Sequence, residues 1–223
     1  MAHSMGSEQA VRIAAARKRV FSEYQISIKG VAVVSPLGLR PHRAPLKSYD
    51  WSVSYDSGCP AGTTIAVGAR HSSDAGSRSG AAYVYEGQQD GTWLEVQKLV
   101  ASDAAAGDYF GYSVAVSGAV AVVGVHQDDD AGSLSGSAYV FEQQDDGSWL
   151  EAQKLVASDG ATDDRFGWSV AVSGGVAVVG ASMDDDAGSN SGSASVFELQ
   201  QDGRWPEVQK LVAADEATPD RRG

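Results

Sequence analysis

Between residues 113 and 156 short apolar runs alternate with clusters of turn-forming residues. Ser113-Val114-Ala115-Val116 is the first short run. Val120-Ala121-Val122-Val123-Gly124-Val125 has no polar position, which predicts a strand buried on both faces. Ala138-Tyr139-Val140-Phe141-Glu142 is rich in aromatic and β-branched residues. Trp149 to Val156 is the fourth run. Between these runs stand Ser117-Gly118, an Asp-Ala-Gly-Ser-x-Ser-Gly loop and Asp145-Asp146-Gly147. The pattern predicts four short strands, the first two joined by a tight hairpin. No segment here carries a helical period with caps.

This pattern recurs. Asp90-Gly91-Thr92-Trp93 reappears as Asp146-Gly147-Ser148-Trp149 and as Asp202-Gly203-Arg204-Trp205, a period of 56. Residues 90–145 and 146–201 share 41 of 56 positions without a gap. A degraded copy lies upstream, where Gly68 and Asp74-Ala75-Gly76-Ser77 hold register and Gly58-Cys59-Pro60-Ala61-Gly62 is inserted. Downstream, the opening of a further unit runs to Gly223, with Arg222 where Phe110 and Phe166 stand. The expected organisation is a basic segment of unassigned structure over 1–48 and repeats over 49–223. The repeats divide at about 49–89, 90–145, 146–201 and a partial 202–223. Four strands per unit in tandem predict an all-β fold built from four-stranded antiparallel blades of a β-propeller. The patterning excludes a helical solenoid, and a parallel β-helix is the second choice. About three units are fewer than the four to eight blades that close a ring. A longer array, self-association or an open array are the alternatives.

Charge divides the chain at the same place. Residues 1–50 carry +5 and the remaining 173 carry −17, which sums to the net −12. Residues 8–24 could form a basic amphipathic helix, and 26–28 and 31–34 resemble short strands. No signal peptide is visible; the acid-poor start fits an organelle transit peptide or a leader. The acidic balance argues against nucleic-acid binding through general electrostatics. No apolar run is long enough for a membrane-spanning helix. The single cysteine, Cys59, excludes an intrachain disulfide and a multi-cysteine zinc site.

Phe110-Gly111-Tyr112-Ser113-Val114-Ala115, Val122-Val123-Gly124 and Gly136-Ser137-Ala138-Tyr139-Val140-Phe141 together resemble the FG-GAP repeat. Phe166, Gly167 and Gly180 hold the same positions one unit later. The resemblance covers roughly residues 49–223 and implies the propeller fold of integrin α subunits and of bacterial and algal tandem arrays. It also implies a non-catalytic interaction or adhesion role, with a protein or glycan partner, outside the cell or at its surface. The chain departs from the family in two places. The Gly-Ala-Pro tripeptide reads Gly68-Ala69-Arg70, Gly124-Val125-His126 and Gly180-Ala181-Ser182. The family's calcium loop is replaced by Ser117-Gly118-Ala119 and Ser173-Gly174-Gly175, which offer no carboxylate. That calcium site is therefore not carried over.

A different calcium site would need Asp128-Asp129-Asp130 and Asp184-Asp185-Asp186. Successive side chains of an extended segment alternate in direction, so Asp128 with Asp130, and Asp184 with Asp186, are the candidate ligand pairs. The favoured reading is a solvated acidic turn, with Asp130 and Asp186 fixing the backbone. The alternative function is a propeller-based hydrolase or a calcium-binding structural array. No nucleophile–base constellation, phosphate loop or metal-ligand histidine spacing supports an enzyme. The differences between units (Tyr109 against Arg165, His126 against Ser182, Leu134 against Asn190) form no acid–base pair. The recurring aromatics Phe110, Phe166, Trp93, Trp149, Tyr139 and Phe141 are expected between blades.

Overall fold

A computed structural model of the chain describes residues 25–28, 31–34, 51–55 and 63–213. It divides into two units, Met1–Leu46 and Lys47–Gly223. In the first, β1 (Gln25–Ile28) and β2 (Val31–Val34) pair antiparallel, with Gln25 opposite Val34. These are the two short strands expected there. The helix expected over 8–24 and the insertion around Cys59 lie outside the described residues.

The second unit is three four-stranded antiparallel meanders. Blade 1 holds β3 (Trp51–Tyr55), β4 (Thr64–Ala69), β5 (Ala82–Gly87) and β6 (Trp93–Leu99). Blade 2 holds β7 (Ser113–Ser117), β8 (Val120–Val125), β9 (Ser137–Gln143) and β10 (Trp149–Leu155). Blade 3 holds β11 (Phe166–Ser173), β12 (Val176–Ala181), β13 (Ser193–Glu198) and β14 (Glu207–Leu211). The sheets therefore run across the unit boundaries drawn at 89/90 and 145/146. No described residue is helical, so no helix there is long and apolar enough to cross a membrane.

Local chemistry fixes the turns. In the Asp-Gly-x-Trp turn, Asp146 Oδ1 accepts from the Ser148 backbone N–H at 2.9 Å and from its hydroxyl at 2.6 Å. Gly147 supplies the positive φ of 86° that this turn requires. Asp90 and Asp202 make the same backbone bond to Thr92 and Arg204.

The apolar strand β8 is buried on both faces, as its pattern predicts. Ala121, Val123 and Val125 join Val84, Leu99, Phe110, Tyr139, Phe141 and Trp149 in a core between blades 1 and 2. Val122 faces the other way, with Ala138, Val140, Leu155, Phe166, Val179, Phe197 and Trp205 between blades 2 and 3. Side-chain amides stitch each junction. Gln97 bonds both backbone groups of Trp149 at 2.6 and 2.7 Å, and Gln153 bonds those of Trp205 at 2.9 and 2.8 Å. The Phe-Gly motif docks as a parallel bridge, Phe110 on Gly80 and Phe166 on Gly136. Gly124 sits where a methyl group would lie 2.1 Å from the Gly167 carbonyl oxygen of blade 3. That spacing leaves room only for glycine.

Candidate functional site

Two constellations form where the second strand of each blade hands over to the third and where the chain enters the next blade. The first is acidic. Asp128 and Asp130 converge as the alternation predicts, and Asp103, from the segment before β7, completes a group whose ligand atoms lie within 4.8 Å of one another. Asp159, Asp184 and Asp186 repeat it one unit later. Each group encloses a lysine. Lys154 Nζ lies 2.8 Å from Asp103 and 2.8 Å from Asp128, and also pairs with Asp130. Lys210 Nζ lies 2.7, 2.6 and 2.5 Å from Asp159, Asp184 and Asp186.

The solvated-turn reading needs correction. Asp128 is 4% exposed and Asp184 2%, so each group has a buried member. Nor do Asp130 and Asp186 fix the turns. Asp128 Oδ1 accepts from the Asp130 N–H at 3.0 Å and Asp129 Oδ1 from the Leu134 N–H at 2.7 Å. Asp184 and Asp185 act likewise at 2.9 and 2.6 Å. The carboxylates of Asp130 and Asp186 go to the lysines.

A buried carboxylate needs a compensating cation. The ammonium supplies it and occupies the place a Ca²⁺ would take. Burial opposes charge on Lys154, yet its bonds to Asp103, Asp128 and Asp130 outweigh this and hold it above the ordinary lysine range. Lys210 is raised for the same reasons. Desolvation pushes Asp103 and Asp184 upward, but hydrogen bonds led by the lysines leave both below the usual carboxylate range. In blade 1, Ser72 stands where Asp128 does, and among the described residues Lys98 pairs with Asp74 alone. Asp103, Asp159, Lys154 and Lys210 were legible only as residues repeating at the 56-residue period.

The second constellation joins blades 1, 2 and 3 near their first strands. The Arg70 guanidinium lies 5.2 Å from the Tyr112 ring centroid. Tyr112 is 3.9 Å from His126 and 4.9 Å from Trp168, and His126 meets Trp168 edge-on at 5.1 Å. The Arg165 guanidinium lies 5.9 Å from the Trp168 ring. Tyr109 adjoins His126 at 6.1 Å and accepts a 2.9 Å hydrogen bond from Arg78. His126 is 4% exposed. Its Nδ1, the Nε atoms of Arg70 and Arg165 and the Ser182 hydroxyl are buried without hydrogen-bond partners. Burial first, then the charges of Arg165 and Arg70, push the imidazole down to about 4, so it is neutral at pH 7. Tyr109 and Arg165 have φ of 60° and 57°, a left-handed conformation that bulky residues rarely adopt.

These residues occupy repeat-equivalent positions. Arg70, His126 and Ser182 follow the second strand; Tyr112 precedes β7 and its counterpart Trp168 lies in β11; Tyr109 and Arg165 precede the Phe-Gly pair. Of the unit-to-unit differences that looked unrelated in the sequence, Tyr109, His126 and Arg165 thus come together, whereas Leu134 and Asn190 stand in the aspartate loops. The motif residues themselves are packing residues: Phe110 and Phe166 are buried between blades, and Gly111 and Gly167 abut the preceding blade. Trp149, Tyr139 and Phe141 are buried there too.

The family model of the FG-GAP repeat matches residues 48–85, 93–141 and 149–197. The chain belongs to the FG-GAP repeat family, and its three sheets are β-propeller-like blades of that type. No curated protein matches the chain.

Proposed function

We propose that the array is a non-catalytic interaction module that recognises its partner through the end formed by Arg70, Tyr109, Tyr112, His126, Arg165 and Trp168. One observation carries this reading. Repeat units that share 41 of 56 positions differ at 109/165, 112/168 and 126/182, and five of these six residues, all but Ser182, meet at one place. A repeated scaffold with local differences on one face is how binding proteins set specificity on a common frame. Two features add support. Arg78, Tyr109 and Arg165 are three of the six described non-glycine residues with positive φ, and strained residues cluster at ligand-contacting sites. Among the described residues the ring contacts of the group involve no carboxylate, which fits binding better than acid–base hydrolysis. The aspartate groups contribute less to recognition than their density suggests, because Lys154 and Lys210 each offset part of their charge internally.

The test is an array of neutral and acidic oligosaccharides and peptides probed with the purified chain and with Trp168→Ala. Binding that is lost in Trp168→Ala but kept in Leu94→Ser, an exposed position on β6, is the expected result. Binding unaffected by Trp168→Ala, or clear turnover in a broad hydrolase screen, would overturn the proposal.

A further inference from the structure

The chemistry of the variable end selects a kind of ligand. The domain is strongly acidic, and Lys98, Lys154 and Lys210 each pair with aspartate. Arg70, Arg78 and Arg165 are different. Among the described residues none of them makes an ion pair. Arg70 and Arg165 rest against aromatic rings, and the Nε of each is buried and unpartnered. Burial first, then the charges of Arg165 and Arg70, help keep the His126 imidazole uncharged, so both guanidinium groups act on this one place. Among the described residues this end therefore holds positive charge with no ion-paired counter-ion, whereas the lysines elsewhere pair with aspartate.

We infer that this end binds an anionic saccharide, its carboxylate or sulfate held by Arg70 and Arg165 and its ring set against Tyr112 and Trp168. This rests on the proposed role of the same end in recognition. Guanidinium groups present paired N–H donors that match an oxyanion's oxygens, and such charge-assisted bonds are about twice as strong as neutral ones. The aromatic faces suit the C–H face of a sugar, which a simple anion does not use. A saccharide carrying an oxyanion satisfies both halves of the site. His126 is buried and neutral, so it backs the rings without repelling the arginines.

The experiment titrates the full chain with trigalacturonate, with a sulfated galactose trisaccharide, with neutral galactotriose and with hexaglutamate, following tryptophan fluorescence and calorimetry. The expected result is saturable binding of one or both anionic trisaccharides, weakened by salt and at least about tenfold tighter than galactotriose. Preference between the carboxylated and sulfated sugars identifies the oxyanion. Arg70→Gln and Arg165→Gln should each weaken binding about tenfold while the melting temperature stays near that of the wild type. Arg204→Gln removes the same formal charge at an exposed position paired only with Asp202 and should leave binding unchanged. Equal binding of galactotriose, equal binding of hexaglutamate, or full binding by the Arg70→Gln/Arg165→Gln double variant would overturn the inference. A neutral or peptide ligand that still required Trp168 would leave the recognition role standing and remove the anionic sugar alone.

Discussion

Blades 2 and 3 are nearly the same sequence in different surroundings. In blade 2, Leu155 is 1% exposed beneath blade 3; its counterpart Leu211 is 44% exposed. Gln153 spans to Trp205, whereas Gln209 lies exposed. Strand β8 is buried along its length, while β12 alternates between covered and open positions. A methyl group at Gly124 would meet the backbone of the next blade; at Gly180 the nearest atom is the Ser169 hydroxyl, 2.5 Å away in its own sheet. One strand pattern therefore gives a two-sided core or a one-sided one, according to whether a neighbour follows. Glycine, glutamine and leucine at these positions serve the junction more than the sheet.

The aspartate–lysine groups should be insensitive to this difference, because both are complete. Lys154→Gln and Lys210→Gln should each cost about 3 kcal/mol in urea unfolding, since a buried aspartate loses its counter-charge. Lys98→Gln, whose partner Asp74 is exposed, should cost under about 1 kcal/mol. Unequal losses at 154 and 210 would show that the open face reaches into blade 3's loops. Because the ammonium already fills each group, millimolar Ca²⁺ should leave the wild-type melting temperature unchanged; a rise would reinstate a metal site.

Gly124→Ala and Gly180→Ala break the comparison at its sharpest point. The first should destabilise by about 3 kcal/mol, because backbone and an already bonded Ser113 hydroxyl must move. The second should cost under about 1 kcal/mol, because the exposed Ser169 hydroxyl can turn away. Leu155→Ala should cost about 2–3 kcal/mol and Leu211→Ala under about 1 kcal/mol. Similar losses for the leucine pair would mean that something covers blade 3 in solution.

A further difference is a pH dependence that blade 3 lacks. His126 has Ser182 as its counterpart. Its folded value of about 4 lies below the 6.5 of the unfolded chain, so the unfolded state takes up the proton first. The neutral imidazole's contribution is complete above pH 6.5 and is lost as pH falls towards 4. His126→Ser should flatten the urea midpoint between pH 6.5 and 4.5, a change of about 2 kcal/mol. An unaltered slope would show that carboxylates, not His126, govern that range.

The repeat made the blades readable. Identical strand patterns at one period define four strands, their order and their turns, because turn chemistry and alternation act within a few residues. Asp128 with Asp130 was readable in the same way. Asp103 and Lys154 were not, since they reach that loop from 25 positions before Asp128 and 24 after Asp130, and only sheet pairing and blade contact bring them there. The same holds for Arg70, His126, Arg165 and Trp168, which read as scattered substitutions until the first strands of three blades are set side by side.

What the sequence by itself determined was therefore the unit: an all-β, four-stranded blade with an apolar second strand, an Asp-Gly-x-Trp turn and a Phe-Gly entry. The tertiary structure alone decided which charges meet and what they mean. Stacking the blades brings the aspartate groups onto lysine, which offsets part of their charge. It also gathers arginines and aromatic rings from different units, with no carboxylate in their ring contacts among the described residues. Charge counted along a chain is a sum, whereas recognition depends on which charges remain unpaired after packing.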